Sequence, residues 1–316
     1  MSKPSSSSSS SCAPICLFVF NRLEHTTLTI QSLKNNILAS DSDLYIFSDA
    51  PKIDMPTKST DEVRAYIKTI SGFKSISIIE RNTNFGLSKS IIDGVSFVLD
   101  RSKKIIVLED DMVTSSFFLK FMNEGLDFYE NESLVASIHG HSLPGNYGSS
   151  TFFLRGADCW GWATWEDRWS MFESNGEKLY ESLSNKKLLK EFNYNSPGLF
   201  SGMLLDQIKG NNDSWAIRWH ASVFLEKKLT LNPEFSLLKN IGNDGSGVHC
   251  ENNNEHDISL YHGHIQINNT NIFESVSARK IYEQYFRKLS DSYIQRIKYK
   301  IPRGIKTLIK KIFFFK

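Results

Sequence analysis

The sequence contains few cysteines and no long apolar run, and both absences narrow the class of protein. The four cysteines lack the C-x-x-C spacing of zinc sites and are too few for a disulfide scaffold, which predicts reduced thiols in a cytoplasmic protein. No apolar run is long enough to cross a bilayer. Residues 1–12, mostly serine, lack the apolar core of a secretory signal and are predicted to be a disordered tail. The net charge of +2 is near neutral and gives no reason to expect a nucleic-acid partner.

Signatures of several common enzyme classes are also missing. No G-x-G-x-x-G follows a predicted strand, which excludes a Rossmann dehydrogenase. The first predicted strand is followed by Asn21-Arg22-Leu23-Glu24, where a sugar-phosphate nucleotidyltransferase normally has a glycine-rich segment bearing Arg or Lys. That class therefore stays only as an alternative. There is no Gly-x-Ser-x-Gly and no Cys–His spacing that would supply a covalent nucleophile.

The strongest positive signal is the apolar run Ile105 to Leu108, which ends in Glu109-Asp110-Asp111. A β-branched run bounded by charge is typical of a buried central strand. Three consecutive carboxylates repel one another unless a cation lies among them. Mg²⁺ and Mn²⁺ prefer carboxylate oxygens and often share their ligand shell with substrate phosphates. The run therefore predicts a divalent-metal site, with a solvated acidic turn as the alternative.

The first half of the chain alternates apolar strands with helices, which predicts a parallel sheet covered by helices on both faces. Ligands of such sheets bind outside the carboxyl ends of the strands. Polar residues follow four of the predicted strands, namely Asn21-Arg22, Asp49, Arg81 to Asn84, and Glu109 to Asp111. Together they suit a nucleotide diphosphate, with Arg22 on the phosphates and Asp49 on the base or ribose.

The second half carries weaker signals, each with a structural alternative. Residues 155–169 contain four of the six tryptophans, and Trp160-Gly161-Trp162 is predicted as a turn that presents aromatic faces to a sugar, unless the rings pack the core. Asp213 precedes a predicted helix as a cap or a catalytic base. His249 lies in a glycine-rich loop, as a metal ligand, a phosphate contact or a structural residue.

The end of the chain is basic and amphipathic. Residues 294–316 contain no acids, and Ile305, Leu308, Ile309 and Ile312 form a helical stripe. Such a helix suits an anionic membrane surface, or else it docks on the protein body. We therefore divide the chain into a core domain, 13–270, with a nucleotide-sugar half (13–140) and an acceptor half (141–270), and a basic helical tail, 271–316.

The motifs, taken in order, resemble a known family. The sequence Phe18-Val19-Phe20-Asn21-Arg22, then Ser48-Asp49, then residues 82–87, then Leu108 to Asp111 is similar to that of nucleotide-sugar glycosyltransferases of the GT-A fold. This fold is a Rossmann-like α/β architecture with a mostly parallel central sheet flanked by helices. The likeness spans about residues 13–264 and is strongest to inverting N-acetylglucosaminyltransferases with a Glu-Asp-Asp motif and to bacterial family-two enzymes of surface-polysaccharide assembly.

The resemblance implies a role for each matching residue. Asp111 would bind Mn²⁺ or Mg²⁺ on the donor diphosphate. His249 stays a further candidate metal ligand on the ground of its glycine-rich loop, not of the resemblance. The implied donor contacts are Asn21, Arg22, Asp49, Asn84, Gly86, Glu109, Asp110 and Trp162. The implied catalytic base is Asp213, with Glu166 and Asp167 as alternatives.

The implied function is inverting transfer of a hexosyl or N-acetylhexosaminyl group to a glycan or lipid-linked glycan. The donor is a nucleotide-diphosphate sugar, with a UDP-sugar favoured. The expected setting is bacterial polysaccharide or lipopolysaccharide assembly on the inner face of the plasma membrane, which the tail would contact. A carbohydrate- or nucleotide-sugar-binding protein without turnover is the alternative from a different class.

Overall fold

The computed structural model describes residues 11–242, 259–268 and 271–300. Three predicted features lie outside these residues, namely most of the serine tract, His249 and the basic stripe after Pro302. Over the described ranges, the helices are all too short or too polar to cross a bilayer.

An eight-stranded sheet forms the centre of the described part, and two further short strands pair beside it. The strands are β1 (Ile15–Val19), β2 (Asp43–Ser48), β3 (Ser75–Glu80), β4 (Lys104–Glu109), β5 (Met112–Thr114), β6 (Val135–His139), β7 (Thr151–Arg155), β8 (Trp162–Trp165), β9 (Leu229–Pro233) and β10 (Leu238–Asn240). The large sheet has the order β3-β2-β1-β4-β8-β6-β9-β7, and β10 pairs with β5.

Four of the seven pairings described in the large sheet are parallel. They join β1 to β2, β1 to β4, β2 to β3 and β6 to β9. Strand β8 runs antiparallel between β4 and β6, and β7 runs antiparallel on β9. Because β8 is antiparallel to both neighbours, β4 and β6 point the same way. The predicted α/β class with a mostly parallel central sheet is confirmed.

Helices cover both faces of this sheet. They are α1 (Leu23–Lys34), α2 (Lys58–Ile67), α3 (Gly86–Leu99), α4 (Phe118–Phe128), α5 (Glu166–Trp169), α6 (Gly176–Asn185), α7 (Leu189–Phe192), α8 (Leu199–Ile208), α9 (Trp215–Leu225) and α10 (Val276–Lys300). Alternate residues of β1 point to opposite faces. Ile15 and Leu17 pack in a core with α1, α2 and α4, whereas Cys16 and Phe18 pack with α3 and α9. Both faces are buried, which is why the strand is apolar throughout.

The structure differs from the sequence-based assignment in two helices. The sequence pattern predicts one helix over residues 24–38, but the helix ends at Lys34, and Leu38 has a φ of 77°. It also predicts one helix over residues 178–192, where the structure has two, α6 and α7, with Lys187 at a φ of 57° between them. A positive φ at a non-glycine residue cannot continue a right-handed helix. Neither Leu38 nor Lys187 is a glycine or proline, so the sequence does not indicate that the helix ends there.

The first part of the predicted tail packs against the body of the protein. On α10, Ala278 and Tyr282 are buried against Leu143, Tyr147 and Phe152. The first turns of α10 therefore contact the body of the protein, and the division into a domain and a tail stays a prediction.

Candidate active site

The polar residues that follow the parallel strands lie together at one edge of the sheet, which we call the rim. Because β1, β2 and β4 are adjacent and parallel, their carboxyl ends meet at one edge of the sheet, with Phe18 opposite Glu109 and Val19 opposite Ser48. Asn21 and Arg22 follow β1, and Asp49 follows β2. The prediction that these residues share one edge is confirmed. Asn21 is half-buried there.

Arg22 pairs with two of the three acids. Its Nη2 donates to Asp110, and also to Asp111 at 2.8 Å. Both carboxylates are buried, so the guanidinium offsets part of the cost of desolvating them. Burial alone would lower the pKa of Arg22, but the two carboxylates raise it instead. The arginine therefore holds the two acids together, and its predicted contact with a phosphate stays a prediction.

Glu109 is the most perturbed of the three acids. Burial, followed by the charges of Asp111 and Asp110, raises the pKa of Glu109 to about 8. The Trp215 side chain donates a hydrogen bond to its carboxylate. Near neutral pH this acid is therefore largely protonated, and a cation placed beside it would favour the ionised form.

One carboxylate oxygen at this edge has no hydrogen-bond partner among the residues that the structure describes. Oδ1 of Asp111 is buried and accepts no hydrogen bond from the described residues, whereas Oδ2 accepts from Arg22. A buried ionised oxygen without a partner is costly, and a hard divalent cation would satisfy it. Among the described residues, no group of three or more His, Cys, Asp or Glu is arranged as a complete metal site. A cation held through one or two carboxylates and substrate phosphates needs no such group, so these residues fit a nucleotide-bound cation.

Asp49 has a structural task that the sequence did not indicate. Its Oδ1 accepts from the backbone N–H groups of Ala50 and Phe85, both at 2.9 Å. Its Oδ2 accepts from Gly86 N at 2.9 Å and Asn84 Nδ2 at 3.1 Å. A carboxylate has about four acceptor positions, and all of them are used. Asp49 thus fixes the start of α3 beside the rim, and brings the predicted donor residues Asn84 and Gly86 to it.

Trp162 does not present an aromatic face to a ligand, and that prediction is wrong. The residue belongs to β8, is 0% exposed and lies against Trp169, Trp215 and Trp219, with ring centroids 5.4–5.8 Å apart. Its strand is hydrogen-bonded on both sides, which leaves no free edge for a turn. The core alternative therefore holds for this tryptophan.

Replacing Trp162 with alanine should accordingly act on stability rather than on ligand binding alone. Removing a fully buried tryptophan typically costs about 3–5 kcal/mol of unfolding free energy. Urea denaturation of Trp162→Ala against wild type measures this. Unchanged stability together with lost sugar binding would restore the sugar-contact interpretation.

The two alternative bases lie at the wrong end of the sheet. Because β8 is antiparallel to β4, Trp165 pairs with Lys104, at the start of β4 rather than at its acidic end. Glu166 forms an ion pair with Lys103, and Asp167 with Arg168. A strand of six residues separates them from Glu109 by roughly 16 Å. Neither can serve as base at the rim.

Asp213 lies just before α9, whose first residue, Trp215, contacts Glu109. Its side chain is 71% exposed, and Oδ1 accepts from Arg218 Nη2 at 3.1 Å. The same nitrogen donates to Ser88 of α3, which follows the rim loop. Asp213 is therefore an accessible carboxylate on the same side as the acids, and its catalytic role stays a prediction.

A group that sequence reasoning missed lies at the same edge. His139 ends β6, which points the same way as β4, and its Nε2 is 3.8 Å from Oδ2 of Asp158. The nearby His139, His141 and His220 and the N–H of Cys159 lower the pKa of Asp158, whose side chain is 47% exposed. The sequence could have indicated this group, because His139-Gly140-His141 directly follows the apolar run 134–138, which is typical of a strand.

Comparison with known proteins gives a likeness of fold. No family profile matches the chain, and no curated protein matches it in sequence. Solved structures similar to it include a UDP-glucose pyrophosphorylase with UDP-glucose (13% identity, TM-score 0.37, 71% of this chain and 91% of that one). Another is a mannose-1-phosphate geranyltransferase from Thermus thermophilus (11%, 0.38, 73% and 77%).

A third similar structure is a mannosyltransferase from Pyrobaculum calidifontis with GDP-Man and Mn²⁺ (10% identity, TM-score 0.31, 41% of this chain). The matched part covers 36% of that mannosyltransferase. At such low identities and TM-scores, we infer no activity from these likenesses.

Proposed function

We propose that this protein is a metal-dependent inverting glycosyltransferase. It moves a hexosyl or N-acetylhexosaminyl group from a nucleotide-diphosphate sugar to a hydroxyl of a glycan or lipid-linked glycan. The observation that carries the proposal is the buried acidic cluster at the carboxyl edge of parallel strands, where Oδ1 of Asp111 lacks a partner among the described residues. A buried carboxylate oxygen without a partner among the described residues costs stability, so its presence at a ligand-binding edge favours a functional reason.

The donor half of the site would work through the acids and Arg22. Asp111 would hold Mg²⁺ or Mn²⁺ through Oδ1, and the bound cation supplies positive charge that stabilises a leaving nucleoside diphosphate. Arg22 lies against Asp111, so its guanidinium is close enough to help neutralise the diphosphate. Glu109 and Asp110 surround this position and would contact the donor ribose or sugar.

The acceptor half needs a carboxylate that takes the proton of the attacking hydroxyl. Asp213 is our proposed base, because it is exposed and lies near Trp215, which bonds the acid cluster. A single displacement by that hydroxyl inverts the anomeric centre and needs no covalent enzyme intermediate.

The basic segment after Pro302 would place the protein at an anionic membrane surface during bacterial polysaccharide assembly.

Thermal unfolding with nucleotides tests this proposal. UDP, GDP, CDP, TDP and CMP are each added with and without Mn²⁺. A ligand at about a hundred times its Kd stabilises the folded state by about 2.7 kcal/mol. We expect one diphosphate, most simply UDP, to shift the transition only with the metal.

The same samples, incubated with the matching nucleotide sugar, separate an enzyme from a binding protein. A transferase releases sugar slowly to water when the metal is present. Metal-dependent binding without any release would favour the binding protein without turnover. Folded protein that none of the nucleotides stabilises would count against the proposal.

A further inference from the structure

A cavity of about 300 Å³ lies beside the acidic edge. Its walls come from α8, α9, α10 and the loop before β8. Most of the lining is apolar, and six tryptophan, tyrosine and phenylalanine side chains contribute, namely Trp160, Tyr194, Phe200, Tyr282, Tyr285 and Phe286. The volume is at the low end for small-molecule sites, which suits a single ring rather than an oligosaccharide.

One wall of the cavity lies near the proposed site. Ala216, next to Trp215, lines it, and so do Asp158 and Cys159. The charges of Glu109 and Asp111 contribute to the raised pKa of the Cys159 thiol, after burial and Asp158, so this wall lies near the acids. A molecule in the cavity would therefore sit beside the donor position.

His220 supplies a buried hydrogen-bond acceptor in this cavity. Its Nδ1 lies 2.7 Å from the carbonyl oxygen of Ala157 and 3.2 Å from the backbone nitrogen of the same residue. The carbonyl oxygen is nearer and can only accept, so we assign the proton to Nδ1. Burial lowers the pKa of His220 to about 4, and the ring is neutral at pH 7. Its Nε2 is then a lone pair, buried and without a partner among the described residues.

Arg155 supplies the complementary group. Its Nε and Nη1 donate to Phe224 O at 2.9 Å and to Glu191 at 2.8 Å. Its Nη2 is buried with no hydrogen-bond partner in the described chain, and the residue lines the same cavity as His220. The lining thus offers one unsatisfied acceptor and one unsatisfied donor within aromatic walls.

This combination selects a class of ligand. A hydrocarbon chain would leave both polar atoms unpaired, which buried groups do not tolerate cheaply. A hydroxyl can donate to an imidazole nitrogen and accept from a guanidinium. A sugar ring offers several hydroxyls and apolar C–H faces for aromatic walls, so it meets both requirements.

We propose that this cavity binds a sugar ring of the acceptor, with one ring hydroxyl donating a hydrogen bond to Nε2 of His220. The inference rests on the proposed transferase function, because the acids are assigned to the donor and the cavity to the acceptor. His220 is a positioning residue here, and it touches a hydroxyl that does not react.

Nitrogen-15 NMR of the imidazole resonances tests the inference on the full chain. The probes are the methyl glycosides of glucose, galactose, mannose and N-acetylglucosamine, with 1-octanol as the apolar comparison. The variant His220→Gln identifies the His220 signals by their loss. We expect one glycoside to move the Nε2 signal of His220 upfield in a saturable way, because the lone pair becomes hydrogen-bonded.

A blocking variant and its control localise the binding. Met203 lines the cavity and is 42% exposed, so Met203→Trp fills the cavity without entering the core. Leu28 on α1 has a similar exposure of 43%, and Leu28→Trp adds the same side chain elsewhere. We expect Met203→Trp to weaken glycoside binding at least about tenfold, and Leu28→Trp to leave it unchanged.

Two results would overturn the inference. One is the absence of any saturable glycoside shift in wild type, including the case in which 1-octanol alone binds. The other is glycoside binding that Met203→Trp leaves intact. Metal-dependent UDP stabilisation, measured on the same samples, tests the donor site separately. If wild type showed no such stabilisation, the proposed function would be contradicted, and the result for the cavity would still stand.

Discussion

Replacing Asp111 with asparagine is expected to abolish the metal-dependent stabilisation by nucleotide, together with any metal-dependent turnover. The amide keeps the shape of the side chain but removes the charge at the buried oxygen that has no partner among the described residues. The stabilisation at stake is about 2.7 kcal/mol at a hundredfold excess of ligand over its Kd. Thermal unfolding with the stabilising diphosphate and Mn²⁺ measures it directly.

The stability of this variant without added ligand separates a functional role from a structural one. Asp111 raises the pKa of Glu109 through like-charge repulsion, and a neutral asparagine in its place would no longer do so. Arg22 keeps its other partner, Asp110. We therefore expect Asp111→Asn without ligand to be as stable as wild type or more stable. If Asp111 served mainly to pair with Arg22, the variant would instead lose stability.

Glu166→Gln is the matched control. It also neutralises a carboxylate, but at the opposite end of the sheet, where Glu166 pairs with Lys103. We expect normal nucleotide stabilisation and normal donor hydrolysis. A normal metal response in Asp111→Asn would remove the central assignment, and loss of donor hydrolysis in Glu166→Gln would bring the second half of the site back into question.

The edge of the sheet could be predicted from the sequence because its causes are local. Strands buried on both faces are apolar throughout, as the run from Ile105 to Leu108 shows. In a parallel sheet the residues after such strands must meet at one edge. The acids and Arg22 could thus be placed together, although their contact joins positions 88 residues apart.

The sequence could not show which side chains form hydrogen bonds and ion pairs with one another. Arg22 could face phosphates or acids, and only the folded positions of Asp110 and Asp111 decide between them. The four residues of β8 are all buried, so they lack the alternation that identifies a strand. Because β8 runs antiparallel between β4 and β6, Glu166 lies at the opposite end of the sheet from the site.

Replacing Gly242 with alanine tests the same site without changing any charge. An added Cβ would lie 2.1 Å from Oδ2 of Asp111 and 3.1 Å from Nη1 of Arg22. This closeness arises because Asn240 of β10 pairs with Met112 of β5, and Ile241 N donates to Asp111 O at 2.9 Å. The carboxylate must move away from the added methyl group, so the position offered to a cation changes.

We expect Gly242→Ala to weaken metal-dependent nucleotide binding at least about tenfold, equivalent to about 1.4 kcal/mol. Titration calorimetry with the diphosphate and Mn²⁺ measures this. The control is Gly202→Ala on α8, where no atom lies within 4 Å of an added Cβ. In that helix alanine should raise stability by roughly 0.5–1 kcal/mol and leave binding unchanged. Unaltered affinity in Gly242→Ala would mean that nucleotide and metal do not use the Asp111 carboxylate in this position, even if Asp111→Asn were inactive.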